Sequence, residues 1–463
     1  MNSNTSRSPD QPVQRKKSLG QADLVLFTVS AILLLETLAA AASIGASSIF
    51  WWLFLGVIFY IPFALICAEM GCSYPEQGGI YAWVRDAFGG RWGARASWGY
   101  WVNTAVWLPA INILFAGIFA QLFMPDLSLA AQIAISIVLL WVAVGLNVVT
   151  LDVGKWVPNL GAVLKVAVFI ALIAGAIVYT RNHGMANPLT LATLKPDWGG
   201  ALQYIPAIIY GMLGFELISA SSEEMKHPAR DVPRAVFTSG LIIITLYTLA
   251  TAAMLAALPS GDIDLVEGLM DTLRQLLGDS GLGQNAAMLL GIFALFSFFS
   301  NGVTWTLGCN RAAAEAGQEK ELPGLFAMES QRGTPVGAAV TMGLVGTGVL
   351  ILYGYLAGSQ EDLFWSLFAF SAVIFLLPYL GMMLAFVKMR VSDPGHPRPF
   401  AIPGGLLVAK LLAYSCFAIL TLSIVLFVYT PGEGVQWPVL LGAIALIALG
   451  ELAIRIAERQ LRP

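Results

Sequence analysis

The sequence predicts an all-α polytopic membrane protein with 12 transmembrane helices. Three observations carry this. Of 463 residues, 57 % are hydrophobic and 11 % charged, against about 25 % charged in a soluble domain. Mean hydropathy is +0.75. Twelve runs are long enough to cross about 30 Å of hydrocarbon as helices, at 22–46, 49–70, 94–123, 129–149, 157–180, 201–222, 234–258, 285–316, 336–357, 363–388, 405–429 and 436–457.

Ahead of the first run, residues 1–20 are polar and basic, and the run exceeds the h-region of a signal peptide, so an uncleaved tail is expected. Lysine and arginine set the orientation. Arg7, Arg15, Lys16 and Lys17, then Arg85, Arg91, Arg95 and Lys155, then Lys226, Arg230 and Arg234 fall on one side. Arg311, Lys320, Arg332, Lys388, Arg390, Arg398, Arg455, Arg459 and Arg462 join them, while the other side has Arg181, Lys195 and Arg274. Both termini are therefore expected in the cytoplasm.

The first span reads AILLLETLAAAASIG and carries Glu36 and Thr37 ahead of small residues that let another backbone approach closely. A carboxylate inside a span is costly and is a functional-site hypothesis by default. After the second span, Gly78-Gly79 predicts a sharp turn, and Ile80, Tyr81, Trp83, Val84 and Phe88 recur at helical spacing. This reads as a short helix lying against the membrane interface. The third span holds Trp101, Asn103, Trp107, Pro109 and Asn112. Most such aromatics are packing, but a proline kink beside Asn112 fits a cavity wall.

Lys165 sits well inside the fifth span. Away from an interface, where snorkelling rescues a lysine, it needs a carboxylate, carbonyls or water, or it goes neutral. A structural pin to a neighbouring helix is the competing reading. The sixth span is apolar through Tyr210 and then breaks at Gly211-Met212-Leu213-Gly214, with Glu216 next. Ser219-Ala220-Ser221-Ser222 and the charged stretch 223–228 follow. In hydrocarbon such a break is tolerated only where the freed backbone groups face a cavity or ligand. A kinked span whose Glu bonds a neighbouring helix is the plainer alternative. The eighth span carries Trp305, and the tenth brings Phe368, Phe370, Ser371 and Pro378 before the rigid turn 398–405.

Four motifs carry a resemblance over about residues 20–405: AEMGCSYPEQGGIYAWVRDAFG, GFELISASSEEMKHPARDVPRA, WTLGCNRAAAEAG with LPGLFA and GTPV, and RPFAIPGG. By these the chain resembles the amino acid–polyamine–organocation superfamily of secondary transporters, near its glutamate/GABA antiporter branch. The resemblance implies a five-plus-five inverted repeat, with residues 21–180 as the first half and 201–388 as the second. A cytoplasmic tail (1–20) precedes them, and two peripheral spans (405–457) follow. It implies alternating access around a midplane site that takes amino acids or related amines, in a proton-coupled, sodium-independent carrier of the cell (inner) membrane. An obligate exchanger or a polyamine importer is the alternative.

By the same resemblance, Tyr210 matches an aromatic gate, Trp305 a tryptophan that packs on substrate, and Lys165 the fifth-span lysine that replaces sodium. Backbone of the first and sixth breaks would meet the substrate. The expected substrate site is thus Glu36, Thr37, Trp107, Asn112, Tyr210, Gly211, Gly214, Glu216 and Trp305, with Lys165 and Glu216 coupling to protons. One departure matters: relatives carry Gly-Ser-Gly in the broken first span to hold a carboxylate, whereas residues 32–37 here contain no glycine. That favours a cationic substrate, which Glu36 would pair.

Other classes fare worse. Three histidines, His183, His227 and His396, all fall in loops and cannot build a buried metal site. Gly278-Asp279-Ser280-Gly281 has no partner histidine for hydrolysis. Cys67 and Cys72 are too far apart for a Cys-x-x-Cys redox pair, and Cys309 and Cys416 lie within spans, so no disulfide framework is expected. Neither an enzyme nor a cofactor is expected. A net charge of −3 does not point to nucleic acid; the expected partners are the substrate, protons and the lipid bilayer. A channel on the same scaffold remains the minor alternative.

Overall fold

The computed structural model describes residues 21–75, 79–149, 156–196, 200–216, 227–278, 280–331 and 333–460. The readings made on the tail 1–20, on Gly78, Lys155, the stretch 217–226, Asp279, Arg332 and Arg462 lie outside the described residues.

Hydrophobic runs become helices because a helix satisfies every backbone group internally, the requirement of a hydrocarbon solvent. Ten helices are long and apolar enough to cross a membrane among the described residues. The first is composite, with α3 (Ser47–Leu55) and α4 (Ile61–Ser73) joined through a π turn at Gly56–Tyr60. Next come α6 (Gly90–Phe123), α7 (Leu129–Val149), α8 (Trp156–His183) and α10 (Pro228–Ala257). The others are α12 (Gly281–Gln318), α13 (Val336–Leu356), α14 (Gln360–Ser392), α15 (Gly405–Val428) and α16 (Trp437–Gln460). Side-chain oxygens start two of them: Ser280 Oγ accepts from the Gly283 amide, and Ser359 Oγ from that of Asp362. A two-residue hairpin, β1 (Tyr429–Thr430) with β2 (Gly434–Val435), turns α15 into α16.

The two remaining predicted spans are made of shorter pieces. The stretch 22–46 consists of α1 (Gln21–Ile32) and α2 (Leu38–Ser43), separated by non-helical residues 33–37. The stretch 201–222 begins with a 3-10 turn, Gly200–Tyr204, and α9 (Ile205–Tyr210), then leaves the helix at Gly211. The sequence places both breaks correctly.

α6 and α14 form the centre. They pack on each other, and 72 % of the membrane-length window of each is buried inside the protein, against 28 % for α7, α15 and α16. α12 lies across α8 and α6, and α1 across α10.

One expectation needs correcting. The helix α5 (Ile80–Phe88) exists, but its apolar face turns into the protein, against α6 and α14, with Ile80, Trp83 and Val84 buried. Its Trp83 Nε1 donates to the Tyr74 carbonyl 3.1 Å away. Protein offers that partner and lipid tails do not. The amphipathic helix α11 (Gly268–Leu277), between α10 and α12, was not among the predicted elements.

Where α4 and α14 end, Glu69 is buried and holds three partners. Arg390 donates to both of its carboxylate oxygens, Arg398 Nε lies 3.4 Å from Oε1, and the Ile402 amide donates to Oε2 at 2.7 Å. Beside it His396 Nε2 contacts the Ser73 carbonyl at 2.8 Å, and its ring stacks on Tyr74. The turn 393–404 is thereby fastened to the end of α4.

Candidate functional site

The site begins where α1 stops. The Leu33 amide still donates to Val29, and the helical pattern resumes only when the Leu38 amide reaches Leu35. Between them the chain needs outside partners, and α10 supplies one. Tyr247 Oη donates to the Ile32 carbonyl at 2.8 Å and accepts from the Leu34 amide at 2.6 Å. Thr37 Oγ1 donates to the Leu34 carbonyl at 3.3 Å.

The second break lies against the first. A Cβ on Gly211 would stand 3.3 Å from both Thr37 Oγ1 and Tyr247 Oη. Gly214 has φ +122°, and a Cβ there would meet Ile32 Cγ1 at 2.9 Å. Glycine is needed at 214 both for its backbone angle and for this close approach.

Aromatic rings line the space beside the breaks. Trp107, Tyr210, Trp305 and Phe375 line it, together with Ala31, Leu34, Asn103 and Leu213. Trp305 lies 6.2 Å, centroid to centroid, from both Trp107 and Tyr100, and 6.0 Å from Phe375; Tyr210 is 5.3 Å from Phe375. The cavity at their centre is about 10 Å³, room for no more than about one water molecule. A larger guest requires the rings to part.

Three buried polar atoms here lack a hydrogen-bond partner among the described residues: Asn103 Oδ1, Glu36 Oε1 and Trp107 Nε1. Two are acceptors. Glu36 is 3 % exposed and follows Leu34 of the cavity wall by two residues; the amides of Leu35 and Glu36 face its carboxylate. Its charge also reaches Lys165 of α8, Tyr210 and Tyr247. The buried Lys165 therefore has the Glu36 carboxylate within electrostatic reach.

Glu216 sits on the other side of the second break and is also buried. Tyr100 of α6 and Tyr379 of α14 both donate to its Oε1, each at 2.6 Å. These hydroxyls tie the sixth span to the two central helices.

The expected residues thus fall into groups. Trp107, Tyr210 and Trp305 meet at the cavity; Glu36, Thr37, Gly211 and Gly214 meet at the breaks beside it; Lys165 answers Glu36. Asn112 stands apart, its Nδ2 donating to the Ser136 carbonyl of α7 at 3.1 Å, and Asn103 lines the cavity in its place. Tyr100, Tyr247, Phe375 and Tyr379 were not singled out from the sequence. The available signal was a hydroxyl in the middle of an apolar span, which must find a partner when buried.

Comparison with known proteins completes the description. A profile described as amino acid permease matches residues 19–449. The chain is 32 % identical over 450 residues to a "Probable agmatine/putrescine antiporter AguD" of Lactococcus lactis, covering 95 % of each chain. It is 32 % identical to an "Uncharacterized transporter" of Legionella pneumophila, covering 86 % of each. A rice "Polyamine transporter PUT1" (Oryza sativa subsp. japonica) is 28 % identical over 90 % of this chain and 75 % of its own length.

Proposed function

The chain belongs to the amino acid permease family and is a multi-pass membrane transporter, and from that premise we propose that it carries small cationic amines by alternating access. One observation supports this choice above the rest. Two acceptors without a hydrogen-bond partner among the described residues, Glu36 Oε1 and Asn103 Oδ1, stand at or beside a cavity walled by aromatic faces. An ammonium or guanidinium group would give both a donor and gain cation–π contact. The agmatine/putrescine name of one relative agrees in charge class.

In this reading Trp107, Tyr210 and Trp305 form the walls and Glu36 takes the charge, with Thr37, Gly211 and Gly214 shaping the floor. Glu216 holds the sixth span and shares in coupling. The two halves, 21–180 and 201–388, rock about the site as an inverted repeat, with both chain ends in the cytoplasm of the cell membrane. Lys165 couples the movement to protons, its charge alternating between a form that binds the first span and a form that releases it. No sodium is needed.

A second reading is favoured by the Glu36–Lys165 attraction. If Lys165 stays charged throughout, it holds the bundle shut without substrate, and the protein is an obligate exchanger.

Uptake of labelled agmatine and putrescine into proteoliposomes tests the proposal. Saturable uptake accelerated by internal amine is expected. Flux that rises linearly with concentration, or no amine uptake at all, would sink it.

A further inference from the structure

Helix breaks in a membrane usually offer free amides, and clustered amides are ready-made anion sites. Here the protein's own groups already stand at those amides. The Leu34 amide is spent on Tyr247 Oη, which also caps the Ile32 carbonyl. The amides of Leu35 and Glu36 face the Glu36 carboxylate. Leu33 and Leu38 keep helical partners.

We propose that Tyr247 and Glu36 together fill the anion-binding position of the first break, making Tyr247 the residue that excludes substrates bearing a carboxylate. The inference rests on the amine-carrier reading and adds to it the means of discrimination.

Two aspects of the geometry support it. Tyr247 is fully buried and held in one place, its ring stacked on Trp52 with centroids 4.5 Å apart at an interplanar angle of 10°. Trp52 is pinned in turn by Nε1 donating to Thr251 Oγ1 at 3.0 Å. The hydroxyl therefore cannot swing aside to yield its amide to a guest. The second aspect is charge: a guest carboxylate entering this position would meet the Glu36 carboxylate while the Leu34 amide is already taken by Tyr247, and a buried anion beside a like charge is strongly disfavoured. Removing the carboxylate from an amino acid leaves an amine that loses nothing here. The same pocket thus accepts the decarboxylated product and rejects its parent.

Pairs that differ only in the carboxylate test this directly: agmatine with arginine, and putrescine with ornithine. Competition against labelled agmatine uptake in proteoliposomes gives the affinity ratio within each pair. Wild type is expected to prefer the amine by about 100-fold or more. In Tyr247→Phe, which frees the Leu34 amide, the gap should narrow by about tenfold, the worth of one hydrogen bond to a charged group. A purely structural role would change both members of a pair alike and leave the ratio fixed. An unchanged ratio in a transporting Tyr247→Phe protein overturns the inference.

Should that variant not fold, Glu36→Gln and the wild type decide the matter. A wild-type ratio below about tenfold, or a ratio unmoved by Glu36→Gln, overturns it equally. If amines are carried without discrimination, only this inference falls. If no amine is carried, the amine-carrier reading itself has failed.

Discussion

Trp305 stands among Tyr100, Trp107 and Phe375 without being fully buried, as a side chain that must shift for a guest should be. Stacking and cation–π contact on a desolvated cation are each worth about 1–2 kcal/mol. Trp305→Ala is therefore expected to weaken agmatine binding about tenfold or more while the protein keeps its melting temperature, as thermal shift with and without ligand would show; unchanged affinity removes Trp305 from the site. Glu36→Gln keeps the shape and removes the charge, so half-saturating putrescine should rise more than that of a zwitterion such as alanine. Equal effects on the two would separate Glu36 from charge selection. Glu36 was legible because a carboxylate deep in an apolar run has few bland explanations, whereas Trp305 was singled out through the family resemblance. Asn103 and Asn112 show where legibility ends. They are nine residues apart, which at about 100° per residue puts them on opposite faces of α6. Only one can face the cavity, and nothing in the local sequence says which.

Long helices were legible to within a few residues because hydropathy and length decide them. The breaks were legible for different reasons. In the sixth span Gly211 and Gly214 mark the site; in the first no glycine does, and the break was expected there only from the family resemblance. What joins the breaks was invisible, since Tyr247 reaches the first span from more than two hundred residues away. Gly214 offers a test at this scale. With φ +122° and Ile32 Cγ1 2.9 Å from any added Cβ, Gly214→Ala should cost about 1–3 kcal/mol and lower the melting temperature. Gly145→Ala in α7, where a Cβ meets nothing within 4 Å, should leave it level or slightly raised. A Gly214→Ala protein as stable as wild type would show that the break relaxes freely. The misjudged face of α5 has a similar cause: amphipathic spacing marks an apolar face but does not say whether lipid or protein covers it.

At the scale of the whole molecule, the proposed coupling role of Lys165 separates net transport from exchange. In Lys165→Ala proteoliposomes, net amine uptake is expected to lose its pH dependence while some exchange survives. Accumulation against a gradient driven by protons alone in this variant would end the coupling role. The Glu69 cluster bears on integrity instead: removing one partner of a buried ion pair costs about 3–5 kcal/mol, so Arg390→Ala should lower the melting temperature by several degrees without altering the agmatine-to-arginine preference. A changed preference would mean that the cluster communicates with the site. The cluster has a mechanical meaning too. At its far end α14 is moored by Gln360 Nε2 donating to the Ile113 carbonyl and by Glu361 Oε1 accepting from the Leu265 amide, each at 3.1 Å. At its near end Arg390 is moored to Glu69. Between the moorings lies Pro378, pressed against Gly99 and next to the Tyr379 that holds Glu216. A rod tied at both ends cannot slide; it can only bow, and its compliance is concentrated at the proline, so spin labels at the two ends of α14 should keep their separation while a label near its middle swings through the cycle.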